Sequence, residues 1–94
     1  MNNTYQIYLI SDSTGETLDR IFIAIKAQFK NINYKVHTYS FTRTENQILK
    51  ILSDAEKQEN SIILYSIVES SLAKYLANIL LILVMKKKFH ALEF

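Results

Sequence analysis

Residues able to do chemistry concentrate in two short polar stretches. Ser11-Asp12-Ser13-Thr14-Gly15-Glu16-Thr17 brings hydroxyls, two carboxylates and the chain's only glycine together, and Thr42-Arg43-Thr44-Glu45 adds an arginine between two threonines. Small hydroxyls beside an open helix N-terminus suit a phosphate or another anion. Arginine forks around phosphate or carboxylate, which makes Arg43 the leading candidate for an anion contact. The same residues admit other readings. Ser13 and Glu16 have the spacing of a capping box, in which each side chain satisfies a free amide at a helix start. Asp12, Glu16 and Asp19 crowd carboxylates at that start, where the helix dipole rewards each by only ~0.3–1 kcal/mol and a phosphate would meet comparable repulsion. Asp12 or Glu16 could instead hold Mg²⁺ or orient a substrate hydroxyl. The candidates for substrate or phosphate contact are therefore Ser11, Asp12, Ser13, Thr14, Gly15, Glu16, Arg43 and Thr44, with Ser66 able to complete the rim. A solvated arginine and a backbone-bonded serine are the alternatives for Arg43 and Ser66.

Other chemistries find little support. With no cysteine there is no disulfide framework and no thiolate nucleophile or ligand. His37 and His90 lack a second ligand at metal spacing and read as surface-strand histidines, so neither marks a metal site and no metal ligand is nominated. Any Ser-His-Asp trio would be an arbitrary choice among many serines, and no catalytic residue is nominated.

The elements that must hold these stretches follow from apolar spacing. Ile7-Tyr8-Leu9-Ile10, within a segment opening at Tyr5, is a short β-branched and aromatic run that stops at the polar loop. A helix beginning near Thr14 then carries Leu18, Ile21, Phe22, Ile25 and Phe29 on one face, widened by Ile23, Ala24 and Ala27, and breaks after Lys30 at Asn31 and Asn33. So apolar a helix should be covered on more than one side. Tyr34 to Phe41 reads as a second strand with one wetter face, as at a sheet edge. Thr42 and Glu45 repeat the capping-box spacing before a narrower, more exposed helix with Ile48, Ile51, Leu52 and Ala55. Ser61 to Val68 is an unbroken apolar run, the mark of a central parallel strand buried on both faces. Glu69-Ser70-Ser71 opens a third helix striped with Leu72, Leu76, Ile79, Leu80 and Leu83. Lys86-Lys87-Lys88 reads as a solvated turn and Lys88 to Phe94 as a fourth strand. The fold class is therefore α/β: a three-layer parallel sheet of three or four strands with crossover helices, β-α-β-α-β-α-β. No residues remain for a helix over the last strand, so an incomplete fragment of a larger protein is expected.

Length and balance agree with one small domain over residues 1–94. The chain is 49% hydrophobic and 21% charged, with 11 basic against 9 acidic residues. An excess of +2 is too weak to argue for nucleic acid. Leu72 to Met85 is apolar but short of the ~20 residues that span a bilayer, so a buried helix rather than a membrane role is expected. The first residues lack a signal peptide's basic flank, and a cytoplasmic location is the default. The apolar surplus of the first helix and the uncovered end of the third predict a homodimer or a lost domain interface.

Tyr8-Leu9-Ile10-Ser11-Asp12-Ser13-Thr14-Gly15-Glu16-Thr17 is more specific than a fold. With Ala27-Gln28-Phe29, Arg43-Thr44-Glu45 and Ile63-Leu64-Tyr65-Ser66-Ile67-Val68 it resembles the N-terminal region of the bacterial pyruvate, phosphate dikinase regulatory protein family, which includes regulators of phosphoenolpyruvate synthetase. The resemblance covers roughly residues 5 to 76. It implies a bifunctional regulator: an ADP-dependent serine/threonine-protein kinase acting on a threonine beside the target's catalytic histidine, and a phosphate-dependent phosphorylase that releases pyrophosphate. It implies pyruvate, phosphate dikinase or phosphoenolpyruvate synthetase as partner, and ADP and phosphate as ligands of the full-length proteins. The family's nucleotide site lies in a glycine-rich, P-loop-like segment of the C-terminal half. With one glycine and no Gly-Lys-Ser or Gly-Lys-Thr, this chain has no loop to present the run of amides that cradles phosphates. The expectation is therefore an N-terminal part, inactive alone, that holds no cofactor itself. A target-binding or dimerisation module without catalysis, or a remnant of a disrupted gene, is the alternative.

Overall fold

A computed structural model describes residues 4–28, 31–86 and 89–93, with the backbone alone for 89–92. Its elements run β1 (Tyr5–Ser11), α1 (Glu16–Lys26), β2 (Tyr34–Tyr39), α2 (Glu45–Glu56), β3 (Ser61–Ser66), α3 (Ser70–Met85) and β4 (Phe89–Glu93). All strand pairs are parallel, in the order β2-β1-β3-β4. The α/β class, the crossover helices, the edge position of β2, the central position of β3 and the fourth strand all stand as expected.

Sheet order decides the layers. The step from β1 to β2 runs opposite to the steps from β2 to β3 and β3 to β4, so right-handed crossovers place α1 on one face and α2 with α3 on the other. Alternating side chains feed the two faces. Tyr8, Ile10, Ile63 and Tyr65 pack with Ile48, Ile51, Leu52, Ala55, Leu72, Leu76 and Leu80 beneath α2 and α3. Ile7, Leu9 and Leu64 meet Leu18 and Phe22 beneath α1. Ile10, Ile48, Ile63 and Leu76 are fully enclosed in the larger cluster. Truncating such a side chain to alanine costs ~2–5 kcal/mol. On β2, His37 stacks on Tyr8 with ring centres 4.6 Å apart and shares a hydrogen bond with Gln6 Oε1 at 2.8 Å, the half-wet arrangement of an edge strand.

Burial corrects two expectations drawn from apolar spacing. Helix α1 buries only Leu18 and Phe22, and Ile23 is 56% exposed, so the described residues of this chain do not cover it on a second side. Helix α2, expected to be the more exposed, buries Ile48, Ile51, Leu52 and Ala55. The cause is the layer count: α2 shares its face with α3, whereas α1 lies alone.

The helix starts also differ. Gly15 adopts a left-handed conformation, φ 85°, so α1 begins at Glu16 rather than near Thr14, and no side chain caps it; the Ser13–Glu16 box is not formed. For α2 the capping box forms two residues later than the Thr42–Glu45 spacing indicated, between Thr44 and Gln47. Thr42 is 2% exposed, and its hydroxyl donates to Tyr39 O at 3.3 Å instead. Strand β2 stops at Tyr39 rather than Phe41, whose φ of 54° breaks the extended chain, and β3 stops at Ser66 rather than Val68. Phe29, Lys30, Lys87, Lys88 and Phe94 lie outside the described residues, as does the side chain of His90.

Candidate functional site

In a parallel sheet the strand ends that point the same way bring their following loops to one edge. Here the carboxyl ends of β1, β2 and β3 meet, Ser11 pairing with Ser66 in register. The loop after β1 is the centre of that edge. Ser11, 4% exposed, turns the chain by accepting Ser13 N–H at 3.1 Å while its hydroxyl meets that of Ser13 at 3.2 Å.

Four consecutive carbonyls of this loop are taken by the connection between β2 and α2. Thr42 N–H donates to Ser11 O and Phe41 N–H to Ser13 O, each at 2.9 Å. Ser40 Oγ donates to Thr14 O at 2.9 Å and Arg43 Nε to Asp12 O at 3.3 Å. The opposite side of the loop is tied to the segment entering α3. Asp12 Oδ2 accepts the amides of Val68 at 2.8 Å and Glu69 at 3.2 Å. Asp12 thus joins all three loops: its carbonyl holds the β2–α2 connection and its carboxylate the β3–α3 connection.

Gly15 closes the loop. A β-carbon there would lie 3.3 Å from Ser40 Oγ, and its φ belongs to the region that L side chains rarely adopt. The first turn of α1 has only a 3.5 Å contact from Glu16 N–H to Thr14 Oγ1 and carries the acidic Glu16 and Asp19. Those carboxylates oppose an anion on that side.

Positive charge stands on the other side. The Arg43 guanidinium carbon is 5.2 Å from the centre of the Phe41 ring, a cation–π contact, while Nε is fixed to Asp12. Among the described residues its terminal amino groups have no hydrogen-bond partner. Phe41 is 52% exposed in its left-handed conformation, which costs an L residue ~1–2 kcal/mol. Strain of this kind tends to gather at functional positions.

Thr44 and Glu69 are occupied as caps. Thr44 Oγ1 accepts Gln47 N–H at 3.1 Å, and Gln47 Oε1 accepts the amides of Arg43 at 2.7 Å and Thr44 at 3.0 Å. Glu69 accepts Leu72 N–H at 2.6 Å, Ser71 N–H at 3.2 Å and the Ser71 hydroxyl at 2.7 Å. The Ser71 hydroxyl and then these amides hold its carboxyl below the ordinary value of 4.5.

The structure therefore brings Ser11, Asp12, Ser13, Thr14, Gly15, Arg43 and Ser66 to one edge, with Glu16 on the acidic side and the Thr44 hydroxyl committed to α2. Among the described residues no three His, Asp or Glu side chains converge as metal ligands. Sequence reasoning missed Phe41 and the Asp12 clamp. A β-turn signal would not have found Phe41, and a hydrogen bond between residues 56 apart leaves no local trace.

Comparison with known proteins gives this edge a context. Residues 7–93 match a family model described as kinase/pyrophosphorylase. A protein of Pelagibacter ubique named as a pyruvate, phosphate dikinase regulatory protein is 73% identical over 78 residues, 83% of this chain and 28% of that protein. Proteins of the same name from Geotalea uraniireducens and Bradyrhizobium diazoefficiens are 45% and 35% identical, over 78% and 80% of this chain. The chain spans about a quarter of the length of these relatives, 26% to 28%. No solved structure matches it.

Proposed function

Because the chain belongs to the kinase/pyrophosphorylase family, we propose that it is the N-terminal part of a bifunctional regulator of pyruvate, phosphate dikinase or phosphoenolpyruvate synthetase, and that its carboxyl edge docks the phosphorylated segment of that target. In one direction ADP gives its terminal phosphoryl group to a threonine hydroxyl, the hydroxyl proton is lost and AMP leaves. In the other, inorganic phosphate attacks the threonine phosphate, pyrophosphate leaves and the hydroxyl is restored. Both directions carry a phosphoryl group on or next to a protein segment, and an arginine at the docking edge suits that charge.

The observation that carries the reading is Arg43, anchored through Nε to the Asp12 carbonyl and stacked on Phe41, with its terminal amino groups turned to no protein partner among the described residues. An arginine held at two points loses little freedom when it takes a phosphate. Nucleotide binding is assigned to the part of the longer relatives outside the matched stretch, because one glycine gives this chain no phosphate-cradling loop. That same fact favours a second reading, a target-binding module that performs no chemistry.

Terminally labelled ADP separates the two. The 94-residue chain alone should transfer no label to pyruvate, phosphate dikinase. A full-length chimera, this chain replacing the matched segment of the Pelagibacter ubique protein, should label a target threonine. Transfer by the chain alone would refute the assignment of the nucleotide site, and a folded chimera without transfer would favour the binding module.

A further inference from the structure

The face of the sheet carrying α1 holds an apolar groove of about 520 Å³ beneath the last turn of that helix. Tyr5 and Ile7 of β1, Phe22 and Ile25 of α1, Tyr34 of β2 and Leu64 of β3 line it, with Lys26 as its charged member. Phe22 and Tyr34 meet edge to face at 5.4 Å, and Lys26 Nζ lies 5.9 Å above the Phe22 ring. Tyr34 and Ile32 in its lining remain 41% and 39% exposed.

Resting on the reading of this chain as the N-terminal part of a longer regulator, we infer that this groove seats an amphipathic helix from the remainder of that regulator, presenting apolar residues at i, i+3, i+4 and i+7 and an acidic residue toward Lys26. Three observations select that occupant. First, α1 has 11 residues, so it is ~16 Å long and ~10 Å across, and it covers about two of four strands spaced ~4.8 Å apart. The opposite face has two helices. Second, right-handed crossovers add a helix to the α1 face only when the chain steps in the β1-to-β2 sense. No other connection among the described elements does so. Third, the Pelagibacter ubique relative is 28% covered by this chain, so ample chain exists in such proteins to supply the missing helix. A small-molecule site would need several converging polar groups to orient its ligand, and the lining is apolar apart from the Lys26 amine and the hydroxyls of Tyr5 and Tyr34.

The chain has no cysteine, so Ile25→Cys places a unique thiol in it at the groove. Its alkylation rate is read by mass spectrometry in the 94-residue chain and in the full-length chimera, with Lys57→Cys on the far face as control. We expect Ile25→Cys to react at least about tenfold more slowly in the chimera, the control being unchanged, as for burial under a docked element. A second measurement needs no chimera: overlapping peptides from the rest of the Pelagibacter ubique protein are titrated into the labelled 94-residue chain. One helical peptide should shift the label's fluorescence, and Phe22→Glu should abolish that shift. Equal alkylation in a folded chimera, or no binding peptide in the complete set, would overturn the inference. Protection already present in the isolated chain and lost on dilution would also overturn it, because a second copy would then occupy the groove.

Discussion

Removal of the Asp12 carboxylate is the perturbation whose size the structure fixes best. In Asp12→Ala the amides of Val68 and Glu69 lose an ionised acceptor at 2.8 and 3.2 Å, and α3 loses its tie to the loop after β1. A hydrogen bond to a charged group contributes ~1.5–3 kcal/mol when enclosed. Both bonds lie at an exposed edge where water replaces the lost acceptor, so the pair together should contribute about 1–3 kcal/mol. In a domain of this size that lowers Tm by about 5–20 °C. Asp12→Asn keeps one oxygen acceptor and should lose about half as much. Thermal melts followed by circular dichroism measure the loss, and amide exchange locates it: protection should fall at Val68 and Glu69 and stay unchanged in the β2–α2 connection, whose bonds run to the Asp12 carbonyl. An unchanged Tm with unchanged exchange at those two amides would refute the clamp.

Three further outcomes follow from the same geometry. Gly15→Ala should destabilise by ~1–2 kcal/mol, the cost of an L residue in the left-handed region, seen as a lower urea midpoint. Gln47→Ala removes the acceptor of the Arg43 and Thr44 amides and should cost about 1 kcal/mol by the same measurement. Acidification should weaken the fold in two windows. Burial and then Lys35 hold His37 below its ordinary 6.5, so the unfolded chain takes its proton first and stability falls as pH drops from 6.5 toward the depressed folded value. Glu69 is held below 4.5, so its contribution is present above 4.5 and lost as pH falls through the folded value. Melts against pH for His37→Gln and Glu69→Gln should each flatten one window.

Long-period signals were the legible ones. The unbroken apolar run of β3 announced a strand buried on both faces, and Lys35 and His37 announced the wet edge that β2 occupies. A strand followed by a helix fixes which end of the strand its loop sits on, which is why the sequence alone puts both polar loops at the carboxyl edge. Spacing failed where several residues satisfied one pattern. Thr42 and Thr44 each have a Glu or Gln three positions on, and tertiary burial of Thr42 decided for Thr44. Ser13 and Glu16 fit a capping box, but the left-handed Gly15 between them turns the chain so that neither side chain reaches the other's amide. Helix α1 looked as though it was covered on several sides because apolar content alone carries no count of neighbours. The Asp12 clamp was beyond local reading for another reason: its partners are amides, which every residue has.

On the proposed function, Arg43, fixed by Asp12 and Phe41, contacts the phosphoryl-bearing segment of the target. Surface plasmon resonance of the 94-residue chain against immobilised pyruvate, phosphate dikinase, carried out with Arg43 and with Arg43→Ala, tests it directly. Binding by the wild-type chain, weakened about tenfold or more by the substitution with the far-ultraviolet circular dichroism unchanged, is the predicted result. Equal affinity of the two chains, or no binding by either, would contradict it.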